Sequence, residues 1–282
     1  MKRNLVTILS LLILTSGLQA ADNWPQFRGP DGTGIAQQAD PVVKWNGSER
    51  IKWEFGIRGK GWTSPVIWGD QLWVTTASVD GKQMWAVCVN RRTGKKIYDI
   101  LVFENEKPRF CHPTNSYASC TPVIEEGRIY LHYGSYGTAC VDTGTGKVLW
   151  SRRDLPCNHW RAPGSSPIIA GNTLVVAYDG YDFQYVVGFD KQNGKTLWKQ
   201  DRNIDYGTDN GDRKKAYSTA RLIEYGGKKQ VVSPSATDTI SYDPQNGKEL
   251  WRVRHGGMNA APVPQFGHGL IYIVGGSGPT AM

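Results

Sequence analysis

Short runs of β-branched and aromatic residues, cut by glycine, recur along most of the chain. Gln71-Leu72-Trp73-Val74, Arg128-Ile129-Tyr130-Leu131 and Thr173-Leu174-Val175-Val176 are three of them. Such runs predict strands. No stretch of useful length places apolar residues at helical spacing, so no long helix is predicted.

The strands come in groups, because the chain repeats itself. Val87-Cys88-Val89-Asn90-Arg91-Arg92-Thr93-Gly94-Lys95-Lys96-Ile97-Tyr98 aligns with Ala139–Trp150, Val187–Trp198 and Ile240–Trp251. The Gly-Lys pair falls at glycines 94, 146, 194 and 247. Ahead of each lies a second element: Ser64-Pro65-Val66-Ile67, Thr121-Pro122-Val123-Ile124, Ser166-Pro167-Ile168-Ile169 and a degenerate Ala220-Arg221-Leu222-Ile223. A fifth copy starts at Ala261-Pro262-Val263 and reaches Val274. About fifty residues and four strands per unit mark a β-propeller blade. Asn-Gly and Thr-Gly supply the positive φ of a tight hairpin between the third and fourth strands. The expected fold is all-β, a propeller of four-stranded blades at about 61–98, 117–150, 164–198 and 217–251, with a partial blade at 258–274. Residues 21–60 form an N-terminal segment with a leading strand around Ile51-Lys52-Trp53.

The strand, the Thr-Gly-Lys turn and the closing Trp resemble the PQQ-like (quinoprotein-type) repeat over residues 61–274. Asn23-Trp24-Pro25-Gln26-Phe27-Arg28-Gly29-Pro30 is similar to the opening of exported bacterial PQQ-like propellers, the BamB-like proteins. The resemblance implies seven or eight blades, so four and part of a fifth read as a propeller interrupted at the C-terminus. Enzymes and non-enzymes share the repeat, which makes it specific for fold and not for function.

Composition narrows the class. In 282 residues, 31 aromatics (Trp 11, Tyr 13, Phe 7) and 39% hydrophobic residues exclude disorder for most of the chain. The net charge of +8 is scattered, with no recognised module or basic stripe, which argues against nucleic-acid binding. Met1-Lys2-Arg3, the apolar Leu5–Leu14 and the small residues at Ala20-Ala21 read as a signal peptide over residues 1–20. The apolar run is short for a membrane span, and no later segment is a candidate. The mature chain is expected to be exported, periplasmic or extracellular, with no membrane span; its oligomeric state is not specified.

Strand parity puts the third-to-fourth turns and the first-to-second turns on one face, and both sets are short. The opposite face carries inter-blade linkers and second-to-third loops, which are long and chemically rich. Binding is expected on this second face. Its hypothetical patch is His112, Asn115, His159, Arg161, Asp182 and Tyr185, with Trp160, Tyr181, Phe183 and Tyr185 as aromatic anchors or inter-blade packing. Cys88, Cys120 and Cys140 occupy small-residue slots and read as buried thiols. Cys111 and Cys157 lie in adjacent linkers, where a disulfide is one reading in an oxidising compartment and a two-Cys, two-His site with His112 and His159 a weaker one. Asp201, Asn203, Asp205, Asp209 and Asp212 have calcium-loop spacing, but Tyr206 stands where glycine is needed; a solvated acidic loop is the alternative.

Two functions follow. One is a non-enzymatic scaffold that recognises an envelope protein or glycan and needs no cofactor. The other, implied by the resemblance, is a PQQ- and calcium-dependent dehydrogenase of alcohols or sugars. Those enzymes use an adjacent Cys-Cys disulfide, a catalytic Asp, and calcium held by Glu, Asn and Asp. No Cys-Cys pair occurs and no catalytic segment aligns, so no catalytic residue is assigned and the scaffold is favoured. Gly-x-Ser-x-Gly and His-Glu-x-x-His are also absent.

Overall fold

In each repeat an antiparallel sheet of four strands forms in simple up-and-down order. The computed structural model describes residues 23–36, 42–44, 48 and 50–277. The signal-peptide reading of residues 1–20 lies outside the described residues, as do residues 278–282. The first sheet is β1 (Val66–Trp68), β2 (Gln71–Ala77), β3 (Gln83–Asn90) and β4 (Lys96–Glu104). The second is β5 (Val123–Glu125), β6 (Arg128–His132), β7 (Thr138–Asp142) and β8 (Val148–Arg152). The third is β9 (Ile168–Ala170), β10 (Thr173–Asp179), β11 (Gln184–Asp190) and β12 (Thr196–Asp201). The fourth is β13 (Arg221–Tyr225), β14 (Lys228–Pro234), β15 (Asp238–Tyr242) and β16 (Glu249–Arg254). A two-stranded sheet follows, β17 (Gln265–Gly267) with β18 (Leu270–Tyr272). The chain is an all-β propeller of PQQ-like blades. Among the described residues the one helix is a single 3-10 turn, Gly211–Arg213, and no helix is long and apolar enough to cross a membrane.

The repeat signature has a mechanical reading. Asn90, Asp142 and Asp190 end their third strands and Asp243 directly follows its own; each turns its side chain back to accept a backbone N–H two residues on, at 2.8–3.0 Å. The glycine four residues on then donates its N–H to that same residue's carbonyl, at 2.8–2.9 Å. Glycines 94, 146, 194 and 247 have φ between +70° and +73°, a conformation that costs any residue with a Cβ. The loop is therefore wider than the expected two-residue hairpin: the Asn of Asn193-Gly194 and Asn246-Gly247 keeps an ordinary φ, and only the glycine is left-handed.

A β-bulge breaks the register at the same place in all four sheets, after Cys88, Cys140, Gly188 and Ser241. Each of these small residues faces the aromatic of the fourth strand: Tyr98, Trp150, Trp198 and Trp251. The small slot is thus the floor under a large ring. From there three of the rings reach the next blade. Tyr98 Oη donates to Gly144 O at 2.5 Å, Trp150 Nε1 to Lys191 O and Trp198 Nε1 to Pro244 O, both at 3.0 Å. Their rings lie over the turn glycine of that next blade; a Cβ built on Gly146, Gly194 or Gly247 would come within 2.5–2.8 Å of ring carbons. The expected strand at Ile51-Lys52-Trp53 does not form, yet Trp53 does the same for the first blade, covering Gly94 and donating to Arg91 O at 2.9 Å.

A second inter-blade link runs through the Ser/Thr-Pro element. Ser64 N donates to Thr121 Oγ1, Thr121 N to Ser166 Oγ and Ser166 N to Thr219 Oγ1, at 2.9–3.0 Å. First strands of neighbouring blades meet, β1 with β5 and β9 with β13, so they converge on a common centre. Between successive sheets lie apolar layers, with Trp73, Ile129 and Leu131 in the first, Leu174 and Phe189 in the second, and Val231 and Ile240 in the third, all fully buried. Burying such side chains contributes roughly 1.5–3 kcal/mol each.

Replacing Gly194 by Val forces both a disfavoured φ and a clash with the Trp150 ring. Chemical denaturation should show a loss of about 2–4 kcal/mol. Lys195→Ala, one residue on and exposed, should stay within about 0.5 kcal/mol of the parent. Equal effects at the two positions would refute the ring-over-glycine account.

Candidate functional site

The two faces differ as the strand order requires. On the turn face, the short connections support each other: Arg91 N donates to Asp70 O, Thr143 N to Gly127 O and Lys191 N to Asn172 O, at 2.9–3.1 Å, and Arg92 pairs with Asp70 at 2.7 Å. This face is occupied with holding its own turns. The opposite face carries the linkers 105–122, 153–167 and 202–220 and the loop 180–183.

Here the proposed patch separates into scaffold and surface. Asn115 is an organiser: its Nδ2 donates to Arg161 O at 2.7 Å and its Oδ1 accepts from Ser119. His159 is buried, and its Nε2 accepts from Ser135 N at 3.1 Å. Tyr185 is buried too, stacked on Tyr178 at 4.8 Å with its hydroxyl on Pro156 O at 2.9 Å. Asp182 accepts from Asn158 N and Phe183 N at 2.7 and 2.8 Å and so fixes the 180–183 loop to the neighbouring linker. His112 is half-buried and pairs with Thr114 Oγ1 at 2.7 Å. Arg161 is half-buried and lies 3.9 Å from Asp212. Of the six residues, His159 and Tyr185 are not available to a partner.

What the scaffold presents is a row of exposed aromatic rings. Phe110 and Trp160 lie 5.8 Å apart by centroid, Trp160 and Tyr181 5.6 Å, and Phe110 and His112 6.5 Å. Phe110 is 56% exposed, Trp160 45% and Tyr181 39%. Each ring comes from a different connection: the first inter-blade linker, the second, and the third blade's second-to-third loop. Phe183, on that same loop, and Trp62 are also exposed. Trp160 and Ala162 hold φ of +56° and +72°, which costs non-glycine residues on the order of 1–3 kcal/mol each. The surrounding bonds impose it: Trp160 N on Asn158 Oδ1 at 3.0 Å, Arg161 N on His159 O at 2.6 Å, and Tyr181 N on Asn158 O at 2.6 Å. Nothing local in the sequence marks Phe110, because a surface Phe in a loop looks the same as a buried one.

The expected disulfide and calcium loop do not match the geometry. No disulfide joins Cys111 and Cys157; all five cysteines are free thiols. Cys157 Sγ points inward, 3.7 Å from His159 Nδ1 and 3.9 Å from Phe183 O, while Cys111 Sγ turns to His112 O at 3.6 Å. Burial pushes the Cys157 thiol up and His159 down to about 4, so this pair is neutral and unreactive. Cys88, Cys120 and Cys140 are fully buried, as their small slots imply. The calcium-loop residues do not converge. Asp201 ends β12 and pairs with Lys199 at 2.7 Å, Asp205 accepts from Gly207 N at 2.9 Å, and Asp212 is bridged to Lys215. Asn203 takes φ +48°, and Asp209 sits on the exposed turn before the 3-10 helix. Among the described residues no three His, Cys, Asp or Glu side chains are grouped to hold a metal ion.

The important charge in that loop is Arg202, which the acidic pattern masked. Its guanidinium is fully buried and makes two bonds to Asp179, at 2.7 and 2.5 Å, and one each to Ser233 O and Ser233 Oγ at 3.0 Å. Burial works against the charge, but the facing carboxylate outweighs it and raises the guanidinium pKa. The pair ties blade three to blade four and sets the start of the 202–220 linker.

At the inner strands of the blades lies the N-terminal segment. Trp24 pairs with Ile67 across a two-bond bridge, Pro25 O accepts from Ile124 N, and Gly32 O accepts from Gln265 Nε2. The N-terminal segment therefore lies on the first strands of blades one and two and reaches the fifth sheet. A cavity of about 490 Å³ beside it is lined by apolar side chains such as Phe27, Val123, Ile168 and Leu222 together with the charged Asp31, Glu125, Arg221 and Glu224.

A family model described as "Outer membrane protein assembly factor BamB" matches residues 87–200 and 182–281, well over half of the chain. No curated protein matches. Among solved structures, BamB from Moraxella catarrhalis is similar at 14% identity and a TM-score of 0.48, over 72% of this chain and 54% of that one. Quinohemoprotein alcohol dehydrogenase from Comamonas testosteroni is similar at 12% identity and a TM-score of 0.55, over 84% of this chain and 42% of that one. A europium-containing methanol dehydrogenase is similar at 13% identity and a TM-score of 0.50, over 68% and 41%. This chain spans about half, or less, of the length of these proteins, and at such identities the likeness to the dehydrogenases concerns the fold alone.

Two outcomes follow from the buried groups. Asp179→Ala leaves the Arg202 charge without its partner and should cost about 3–5 kcal/mol in denaturant titrations; a loss under about 1 kcal/mol would refute the pair's role. Burial lowers His132 to about 3 and His159 to about 4, so both are neutral in the folded chain. An unfolded histidine takes up a proton near pH 6.5, so their stabilisation is complete above that pH and is lost as pH falls toward the folded values. Each contributes a slope of roughly 1.4 kcal/mol per pH unit below about 6.5. The His132→Gln variant should show a shallower decline of stability between about pH 6.5 and 5. An unchanged slope would show that His132 is not buried neutral.

Proposed function

The chain belongs to the PQQ-like repeat family of the outer membrane protein assembly factor BamB, and within it we propose a non-enzymatic recognition scaffold of the bacterial envelope. The observation that carries this is the exposed row Phe110–Trp160–Tyr181, whose central ring stands on backbone held in a costly conformation. Scattered apolar side chains on a surface need no explanation, but contiguous rings on three independent connections form a patch. Aromatic rings are the usual anchors of a binding interface, because they bring large area at small entropic cost. The buried His159, Tyr185 and Asp179–Arg202 set the linkers beneath them, and Asn115 and Asp182 tie neighbouring connections together. The recognised molecule is an envelope protein, the class the family points to, or a glycan, whose apolar sugar faces suit the same rings. Residues 1–20 read as an export signal, in keeping with that place. Recognition of this kind needs no metal or cofactor.

The test is direct. Phe110→Ala combined with Trp160→Ala removes two exposed rings and should leave the thermal midpoint nearly unchanged. Binding to immobilised envelope proteins or to peptidoglycan fragments should weaken at least tenfold, as expected for anchors worth more than about 1.4 kcal/mol. Unchanged binding would overturn the reading. So would saturable uptake of PQQ with calcium, followed by dye reduction on adding an alcohol or sugar, which would make the chain a quinoprotein dehydrogenase.

A further inference from the structure

Between the first and second blades, on the linker face, lies a cleft of about 610 Å³ bounded by Asn105, Arg109, Tyr136, Arg153, Leu155 and Pro156. Both of its guanidinium groups are held in place. Arg153 Nε donates to Tyr136 O at 3.0 Å and Nη2 to Asn105 Oδ1 at 2.5 Å, with the guanidinium 5.4 Å from the Phe103 ring centroid. Asn105 is buried, and its own amide donates to Gly81 O at 3.1 Å, which fixes where its oxygen points. Arg109 Nη1 donates to Cys157 O at 3.0 Å. All these partners are neutral. Among the described residues neither Arg109 nor Arg153 forms an ion pair with a carboxylate, although acids stand on the same lining. Asp154 is taken by Arg152 through bonds of 2.6 and 2.7 Å, and Glu104 accepts from Gln83 Nε2 at 3.2 Å. Glu106 adjoins Lys107, and both are exposed. A guanidinium carries its N–H donors in a rigid fork. One donor of Arg109 and two of Arg153 are spent on the protein, so most of the pair's donors remain for a ligand. Arg109 also immediately precedes Phe110, and the carbonyl it holds lies three residues before Trp160, so the cleft adjoins the exposed aromatic row.

We propose that this cleft binds an acidic side chain of a polypeptide whose apolar side chains lie on the Phe110–Trp160–Tyr181 row. This rests on the row being a recognition surface, and it narrows the chemistry of the partner. A carboxylate is selected because its two oxygens match the guanidinium fork, and because both arginines keep their charge without an acid of their own. A polypeptide, not a glycan, is selected by the polar groups around the rings. Asn158 Oδ1 accepts from Trp160 N at 3.0 Å, and Asp182 Oδ1 accepts from Asn158 N and Phe183 N. Asn115 Nδ2 donates to Arg161 O, and His112 pairs with Thr114. These side chains are spent on their own loops, so few are left to pair the hydroxyls that a sugar brings to every ring. A hydroxyl buried without a partner is costly. Apolar side chains on the rings need no such partners, and the one acid among them needs only the cleft.

The test uses the full chain and labelled octapeptides of alternating leucine and glutamate, leucine and glutamine, or leucine and lysine, read by fluorescence anisotropy. Saturable binding of the glutamate peptide is expected, about tenfold tighter than the glutamine peptide, weakening as salt is raised, with the lysine peptide weakest. Arg109→Gln combined with Arg153→Gln should bring the glutamate peptide down to the affinity of the glutamine peptide, whose own binding stays unchanged. Should the double variant unfold, Arg109→Gln alone, which removes only the bond to Cys157 O, is expected to cost about threefold for the glutamate peptide and nothing for the glutamine peptide. Trp160→Ala should weaken both of these peptides by the same factor. Equal binding of the glutamate and glutamine peptides, with Trp160→Ala weakening both, would overturn the cleft and leave the recognition role of the row standing. A glutamate preference that the arginine variants abolish, with no effect of Trp160→Ala on either peptide, would support the cleft and overturn the row. No saturation by the glutamate peptide at millimolar concentration would overturn the proposal. Tighter binding of a labelled oligogalacturonate, lost with the same arginines, would assign the cleft to an acidic glycan and overturn it equally.

Discussion

Everything in this propeller depends on one contact, the fourth-strand aromatic that lies across a small residue of its own sheet and over a glycine of the next. It links four requirements that look unrelated along the chain. The third strand must carry Cys, Gly or Ser at one place, so that a ring can lie flat on it. The strand must bulge there, because the ring side and the turn side need different registers. The turn must hold a left-handed glycine, both for its φ and because a Cβ would enter the ring. A carbonyl of the turn must face the ring's polar end. A stack of blades that each satisfy their neighbour in this way is stable as a sum of local terms and tolerates change elsewhere.

That arrangement divides the molecule into a conserved-geometry side and a free side. The turn face is consumed by the ring, the glycine and the turn-to-turn bonds, such as Arg91 N on Asp70 O. Little chemistry can be placed there without disturbing a blade joint. The linkers on the opposite face are constrained only at their ends. They also carry the strained Trp160 and Ala162, and the fully buried Asp179–Arg202 pair. A buried ion pair is a poor source of net stability but a good way to specify one geometry, since breaking it leaves a charge stranded. Here it fixes where the longest linker begins.

The parts legible in the sequence are those the repeat encodes. Trp150, Gly194 and Cys140 could be assigned to strand, turn and small slot because the same residue types return at the same offset in every unit. Residues between repeats have no such reference. His159 and Tyr185 look like surface chemistry in a loop, and only the packing of adjacent linkers shows that both lie under it. Arg202 sits in an acidic string that suggests a cation site, yet it turns away from that string to a carboxylate 23 residues earlier. Cys111 and Cys157 are close along the fold but point to different neighbours, and a disulfide depends on side-chain direction. Trp53 shows the reverse case: it was read as part of a leading strand, and it makes the contact of a fourth-strand ring without forming any strand.

The fold by itself does not decide between recognition and oxidation chemistry, since a family model named for an assembly factor and the structures of dehydrogenases both match it. On the inner strands the N-terminal Trp24–Gly32 stretch lies beside a cavity whose lining mixes apolar side chains with Asp31, Glu125, Arg221 and Glu224. A recognition surface needs exposed rings on a fixed backbone; Phe110, Trp160 and Tyr181 bring the rings from three connections, and Trp160 stands on strained backbone. Strain is informative here because relaxing Trp160 would withdraw its ring from the row, and the bonds from Asn158 and His159 that prevent this have no other evident product.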